Sequence, residues 1–433
     1  MKNFKDSGIE WLGEIPEHWE VVTLKYLVEK IIGGGTPDTS NLDYWTNNKK
    51  DGYLWVSIED ITKSSFITDT KRYITQNGLK SSSAKLIPPF SILYSIYASL
   101  GKIAYSDQIL TTNQAILGIQ SNHKLVFYKF LFYYLCNTTN YVTILSSMTT
   151  QNNISLSVVA NLKIPLPPLK EQEQIANFLD EKCEKIKNFI EKKEKLINLL
   201  KEQKQALINE TITKGLDKNV NFKDSGIEYL GEIPQHWKVV RLGLILKTSS
   251  GTTPDSGNDK YYKGGQIVWI NSGDLNDGFL KDSKRKITQD ALDDYSVLKI
   301  FDKDSLIIAM YGATIGKTAI LKVNACVNQA CCVLEKSAWY NTFYLFYLFN
   351  RYKKELISMG SGGGQPNISQ DIIKNLKIPL PPLKEQEQIA NFLDEKCKKI
   401  DLLIEKTEKQ IKLIKEYKTA LINQAICGRI RKN

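Results

Sequence analysis

The chain carries one long pattern twice. Residues 4–24 read FKDSGIEWLGEIPEHWEVVTL, and residues 222–242 read FKDSGIEYLGEIPQHWKVVRL, identical at 17 of 21 positions. Residues 161–183 and 375–397 both read NLKIPLPPLKEQEQIANFLDEKC, identical at all 23. The offsets, 218 and 214, are nearly equal, so a chain of 433 residues divides into two units. Each unit is an opening segment, a globular body and a charged tail. A repeat of this length fixes the architecture before any single motif is considered.

The two bodies have diverged but still align. Gly35-Thr36-Pro37-Asp38 answers Thr252-Thr253-Pro254-Asp255, and Trp55-Val56 answers Trp269-Ile270. Gly101-Lys102 answers Gly316-Lys317, and Asn113-Gln114-Ala115 answers Asn328-Gln329-Ala330. Short β-branched and aromatic runs between Gly, Asn, Asp and Ser clusters predict strands at 53–58, 91–95, 267–270 and 305–310. The stretches 127–135 and 343–349 read as buried helices.

The tails differ in kind. From 169 to 212 there is neither Pro nor Gly, and Leu179, Cys183, Ile186, Ile190, Ile197, Leu200 and Leu207 recur at coiled-coil spacing. Leu393, Cys397, Ile400, Ile404, Ile411, Ile414 and Leu421 repeat the seam, and Lys193 and Lys204 interrupt the first copy. Pro167-Pro168 and Pro381-Pro382 stand before each helix, where proline is tolerated. A helix of that length is a rod of roughly 65 Å. The pattern divides the chain into bodies at 1–168 and 213–382, helices at 169–212 and 383–426, and a basic tail at 427–433. Residues 427–430 align with 213–216, which brings the end of the second unit near Phe4.

Net charge is +11, with the surplus in the second body and the tail and both helices close to neutral. A basic surplus favours an acidic partner such as nucleic acid. The apolar stretches at 125–136 and 343–349 are too short to span a bilayer. Seven cysteines without a C-x-x-C spacing argue against both a disulfide framework and a zinc knuckle, and place the chain in a reducing cytoplasm.

Several stretches imitate catalytic motifs. Residues 312–318 (GATIGKT) are one residue short of a phosphate-binding loop, which needs its full length to wrap phosphates in backbone N–H groups. Ile87-Pro88-Pro89-Phe90 resembles an amino-methyltransferase signature, but isoleucine cannot accept a hydrogen bond from a target amino group. Cys331-Cys332 looks like a redox pair, yet the first copy has Ile116-Leu117 there, which points to buried small apolar residues. His18 and His236 occupy matching Pro-x-His-Trp contexts that read as structural. One pattern stays open as an alternative: Asp38, Asp69 and Lys71, with Asp255, Asp282 and Lys284, could form Mg-dependent nuclease sites. Otherwise the sequence shows neither a catalytic constellation nor a metal site.

The opening segment, the G-x-T-P turn, the Gly-Lys…Asn-Gln-Ala stretch and the IPLPPLKEQEQIANFLD helix entry resemble the specificity subunits of type I restriction-modification enzymes. The resemblance covers nearly the whole chain, twice and in the same order. It implies an α+β architecture: two mixed α/β target-recognition domains separated by two long antiparallel coiled-coil helices, with internal pseudo-twofold symmetry. It implies that each domain reads one half of a bipartite, asymmetric double-stranded DNA target. Two methyltransferase subunits would dock on the helices, for which Leu179, Ile186, Ile190, Leu393, Ile400 and Ile404 are the assigned positions. Restriction-translocase subunits would join, and S-adenosylmethionine, ATP and Mg would sit on those partners rather than on this chain.

DNA contacts call for Lys, Arg, Asn and Gln. In the first unit the candidates are Lys49, Lys50, Lys71, Arg72 and Lys102, with Gln151 and Asn153 in a loop able to enter a groove. In the second they are Lys263, Lys284, Arg285, Lys286 and Lys317, with Gln365 and Asn367 in the SGGGQ loop.

Overall fold

The computed structural model describes residues 3–97, 99–147, 154–360 and 367–429. It resolves into two compact units, one of Met1–Lys193 with Lys409–Asn433 and one of Glu194–Glu408. Both long helices, Leu169–Lys214 and Leu383–Ile426, contribute to both units.

The first unit is built on an antiparallel sheet in the order Val28–Gly33, Ile116–Ser121, Ser91–Ser95, Ile103–Ser106. Ser91–Ser95 is buried along its whole length, and so its sequence lacks the in–out alternation of a half-exposed strand. A second sheet runs Leu110–Thr112, Tyr53–Val56, Tyr73–Ile74, Trp45–Thr46, with a parallel pairing between its first two strands. The strand expected over 53–58 stops at Val56 because Ser57 and Asp60 form a capping box and open the helix Ile58–Lys63.

Helix Tyr128–Asn137 buries Phe130 to Leu135 without a polar stripe, because it is covered on more than one side. Its two polar groups facing the long helix are satisfied there: Lys129 Nζ donates to Asp180 Oδ2 at 2.5 Å, and Tyr133 Oη to Asp180 Oδ1 at 2.7 Å. Trp19, Phe130, Leu179, Ile186, Leu421 and Ile426 share one core. Fully burying a side chain of this kind contributes about 1.5–3 kcal/mol each.

The second unit has a five-stranded sheet in the order Thr248–Ser250, Cys331–Leu334, Leu306–Ala309, Thr318–Leu321, Gly278–Leu280. Its edge strand Gly278–Leu280 pairs parallel to Thr318–Leu321, where the first unit has only a parallel bridge from Phe66 to Tyr105. Three further strands, Lys286–Ile287, Ile267–Ile270 and Cys326–Val327, form a small sheet. Helix Thr342–Arg351 is the counterpart of Tyr128–Asn137. Lys204 Nζ reaches Asp401 Oδ1 at 2.7 Å, and Ile208 and Ile212 share a core with Ile389, Leu393 and Cys397. Within this unit the two helical stretches therefore run antiparallel.

Each long helix ends on a left-handed glycine beneath a tryptophan. Gly215 (φ +73) faces Trp237, and Gly428 (φ +69) faces Pro16 and Trp19, so a Cβ at position 428 would come within 2.5 Å of the Pro16 ring. These glycines are structural counterparts, which moves the alignment of the two helix ends by one residue from the sequence reading. Arg429 Nη2 then donates to Glu14 O at 3.2 Å, placing residues 427–429 against the opening hairpin.

Candidate nucleic-acid interface

The segments that are most alike in the two copies meet at the entry to each long helix. The antiparallel pair Glu20–Thr23 with Lys163–Leu166, and its counterpart Lys238–Arg241 with Lys377–Leu380, bring the opening segment to the proline pair. Glu171 accepts from Trp19 Nε1 at 3.2 Å and lies 2.9 Å from His18 Nε2. Glu385 repeats this with Trp237 at 3.1 Å and His236 at 2.9 Å. Both indoles are fully buried, so the carboxylate satisfies a donor that has no water to turn to.

The next residue is equally committed. Gln172 is buried; its Nε2 donates to Leu125 O at 3.2 Å and Pro167 O at 2.8 Å, while its Oε1 accepts from Phe127 N at 2.8 Å. Gln386 makes the same three bonds, to Trp339 O, Pro381 O and Asn341 N, at 3.3, 2.9 and 2.9 Å. The repeated Lys-Glu-Gln-Glu-Gln run is thus a junction that fixes each body on its helix. Sequence reasoning missed the roles of Glu171 and Gln172; their strict recurrence in both copies is the signal that could have found them.

Of the six seam positions assigned to partner docking, four are buried within the chain. Leu179 and Ile186 are buried in the first unit's core, and Leu393 and Ile400 are buried in the second unit. Ile190 and Ile404 are half-buried. The helices leave other large apolar side chains exposed, among them Phe189, Leu413 and Tyr417 in the first unit, and Leu196, Leu199, Leu402 and Leu403 in the second.

The aspartates of the nuclease alternative are each engaged in local bonds. Asp38 accepts from Ser40 N and Oγ, and these bonds hold its carboxyl below the usual range. Asp69 is held low by Tyr73 Oη at 2.5 Å, then by Thr70 N. Asp255 caps Gly257 N, and Asp282 accepts from Ser283 N. Lys71 is not beside these aspartates as a metal-site lysine but on Glu59, at 2.7 and 2.8 Å. Among the described residues there is no group of three or more His, Cys, Asp or Glu side chains able to hold a metal ion.

The other imitations resolve into packing and turns. Residues 310–317 connect the antiparallel strands Leu306–Ala309 and Thr318–Leu321, with no helix between them. Gly316 (φ +71) donates its N–H to Ala309 O at 2.9 Å, and Gly101 (φ +70) donates to Ser95 O at 3.1 Å. Ile87 is buried and bridges Leu110, so 87–90 is the turn that opens strand Ser91–Ser95. Cys331 and Cys332 point to opposite faces of their strand, into two different core clusters, and burial pushes both thiols up.

The DNA candidates fall into groups. Lys49 Nζ is bonded to Thr68 O at 2.9 Å, Lys71 is paired with Glu59, and Lys286 lies 3.6 Å from Asp282. Lys50, Arg72, Lys102, Lys263, Lys284, Arg285 and Lys317 form no ion pair among the described residues. All seven are exposed except Lys317, which is half-buried. Asn367 is exposed; Gln151, Asn153 and Gln365 lie outside the described residues. No helix among the described residues is long and apolar enough to cross a membrane.

Comparison with known proteins agrees with this geometry. The family model described as the type I restriction modification DNA specificity domain matches residues 16–210 and 234–413. The chain is 29% identical over 450 residues to the type I restriction enzyme MjaVIII specificity subunit of Methanocaldococcus jannaschii, covering 99% of this chain and 96% of the relative. It is 27% identical over 448 residues to the MjaIX specificity subunit of the same organism, with 99% and 96% covered. Among solved structures it is similar to a chain from work on the complex assembly and conformational transition of the type I R-M system, at TM-score 0.76 and 20% identity, covering 96% of this chain and 99% of that one. The HsdS subunit from Thermoanaerobacter tengcongensis is similar at TM-score 0.56 and 19% identity, with 96% and 98% covered. The chain belongs to the type I restriction-modification DNA specificity family. It is a specificity subunit of a type I restriction-modification system.

Proposed function

We propose that each unit reads one half of a bipartite, asymmetric double-stranded DNA target, and that the paired helices set the gap between the halves. The observation that carries this reading is the contrast within the duplication. The junction at each helix entry repeats bond for bond. The bodies differ in elements: the first has helix Ile58–Lys63 where the second has a single turn, Ser272–Asp274, and the edge strand Gly278–Leu280. Like junctions suit like partners, and unlike bodies suit unlike half-sites. An internal repeat of this kind suits a pair of identical subunits.

Two methyltransferase subunits dock on the helices, and restriction-translocase subunits complete the assembly. The exposed Phe189, Leu413 and Tyr417, with Leu199, Leu402 and Leu403, give such helices apolar contact area. The chain itself supplies recognition and no chemistry, in the cytoplasm; S-adenosylmethionine, ATP and Mg belong to the partners. The aspartates of the nuclease alternative, each held in local bonds, support that division.

The test is binding and methylation with purified components. The chain combined with its methyltransferase partner is expected to bind a duplex carrying the split target, with affinity falling steeply as salt rises. Alone it is expected to methylate nothing. Methyl transfer by the chain alone, or equal affinity for target and unrelated duplexes, would overturn the proposal.

A further inference from the structure

Although the bodies differ, each keeps one small constellation beside its Thr-Pro turn. Thr36 Oγ1 donates to Gln114 Oε1 at 2.5 Å, and Thr253 Oγ1 donates to Gln329 Oε1 at 2.6 Å. An amide oxygen only accepts, so the threonine proton is committed and the amide orientation is set. Both glutamines are exposed, which leaves their two Nε2 donors toward solvent.

An aromatic brace holds each turn. Trp55 Nε1 donates to Gly35 O at 3.0 Å, and Trp269 Nε1 to Thr252 O at 3.2 Å. Trp45 meets the Trp55 ring edge-on at 5.0 Å; Tyr262 meets Trp269 in the same way at 6.0 Å. An arginine sits on the same brace: the Arg72 guanidinium lies over the Trp45 ring at 5.6 Å, and its carbonyl accepts from Trp55 N. The carbonyl of Arg285 accepts from Trp269 N. Both arginines are exposed and form no ion pair among the described residues.

We propose that Gln114 with Arg72, and Gln329 with Arg285, form a duplicated contact to the DNA phosphate backbone that is independent of base sequence. The proposal rests on the DNA-recognition reading above. Three features favour phosphate over base edges. The Thr–Gln bond and the indole brace recur in both bodies, so a base reader there would demand the same base in both half-sites, whereas a phosphate is present at every position. The glutamine presents donors while its oxygen is engaged, whereas adenine recognition needs a donor and an acceptor together. An unpaired guanidinium and the N–H donors of an amide both match an anionic oxygen.

The experiment uses the full chain assembled with its methyltransferase partner. Equilibrium binding is measured to a duplex carrying the mapped target and to a random-sequence duplex, between about 50 and 200 mM salt. Arg72→Gln with Arg285→Gln is expected to weaken both duplexes by the same factor, to reduce the log–log salt slope by about one per arginine, and to leave the target unchanged. Gln114→Leu with Gln329→Leu is expected to weaken both duplexes by about tenfold with the slope unchanged, since a neutral side chain displaces no counterion. Thermal melting confirms that each variant is folded; the salt slope of the arginine variant is a readout that a merely structural role would not move. Loss confined to the target duplex, a changed target, or wild-type affinity on both duplexes overturns the proposal. A wild-type complex that binds neither duplex overturns the DNA-recognition reading itself.

Discussion

Glu171 and Glu385 show how one side chain can fix a body to a helix. Each takes the N–H of a fully buried indole and a neighbouring imidazole. Glu385→Ala leaves the Trp237 donor buried without a partner and is expected to cost about 1–3 kcal/mol, read as a lower denaturation midpoint; Glu385→Gln, which keeps an acceptor, is expected to cost less. Glu59 is a different case. Lys63 and then Lys71 pull its carboxyl from the ordinary 4.5 down to about 2. A group lowered in the folded state adds stability above its unfolded value, and that stability is lost as pH falls toward the folded one. Glu59→Gln should therefore flatten the acid limb of the stability profile between about pH 4.5 and 2, and an unchanged limb would contradict the assignment. The same residue explains why Lys71 could not be ranked from sequence: its partner lies 12 positions away on a helix that the 53–58 strand reading overlapped.

At the scale of elements, the signals that were legible were local or repeated. Strands Ser91–Ser95 and Ile267–Ile270 follow from β-branched runs between turn residues, and both long helices follow from heptad spacing without Pro or Gly. The capping box Ser57-x-x-Asp60 was in the sequence and marked the end of the strand at Val56. The Thr–Gln pairs could not be read, because their members are 78 and 76 residues apart and meet only through sheet topology. The turns that carry those threonines depend on close backbone approach: a Cβ on Gly251 would stand 1.7 Å from Val327 O, and one on Gly34 would stand 2.1 Å from Asn113 O. Gly251→Ala must push the turn off its strand. It is expected to cost about 1–3 kcal/mol or more and to weaken DNA binding at every sequence; a variant as stable as wild type would show that the turn is not clamped.

For the whole molecule, the duplication carries the account. Two helices of 46 and 44 residues are long enough to act as rulers, and DNA sites about 34 Å apart meet the same face of the duplex. Removing one heptad from each helix, at matching positions, is expected to shorten the gap between half-sites while leaving the half-sites themselves unchanged. The most direct measurement of the central claim is a genome-wide map of modified adenines in cells producing the chain with its methyltransferase partner. The expected map holds one split motif with two different halves and a fixed gap. A continuous motif, two identical halves, or no modified motif would contradict it.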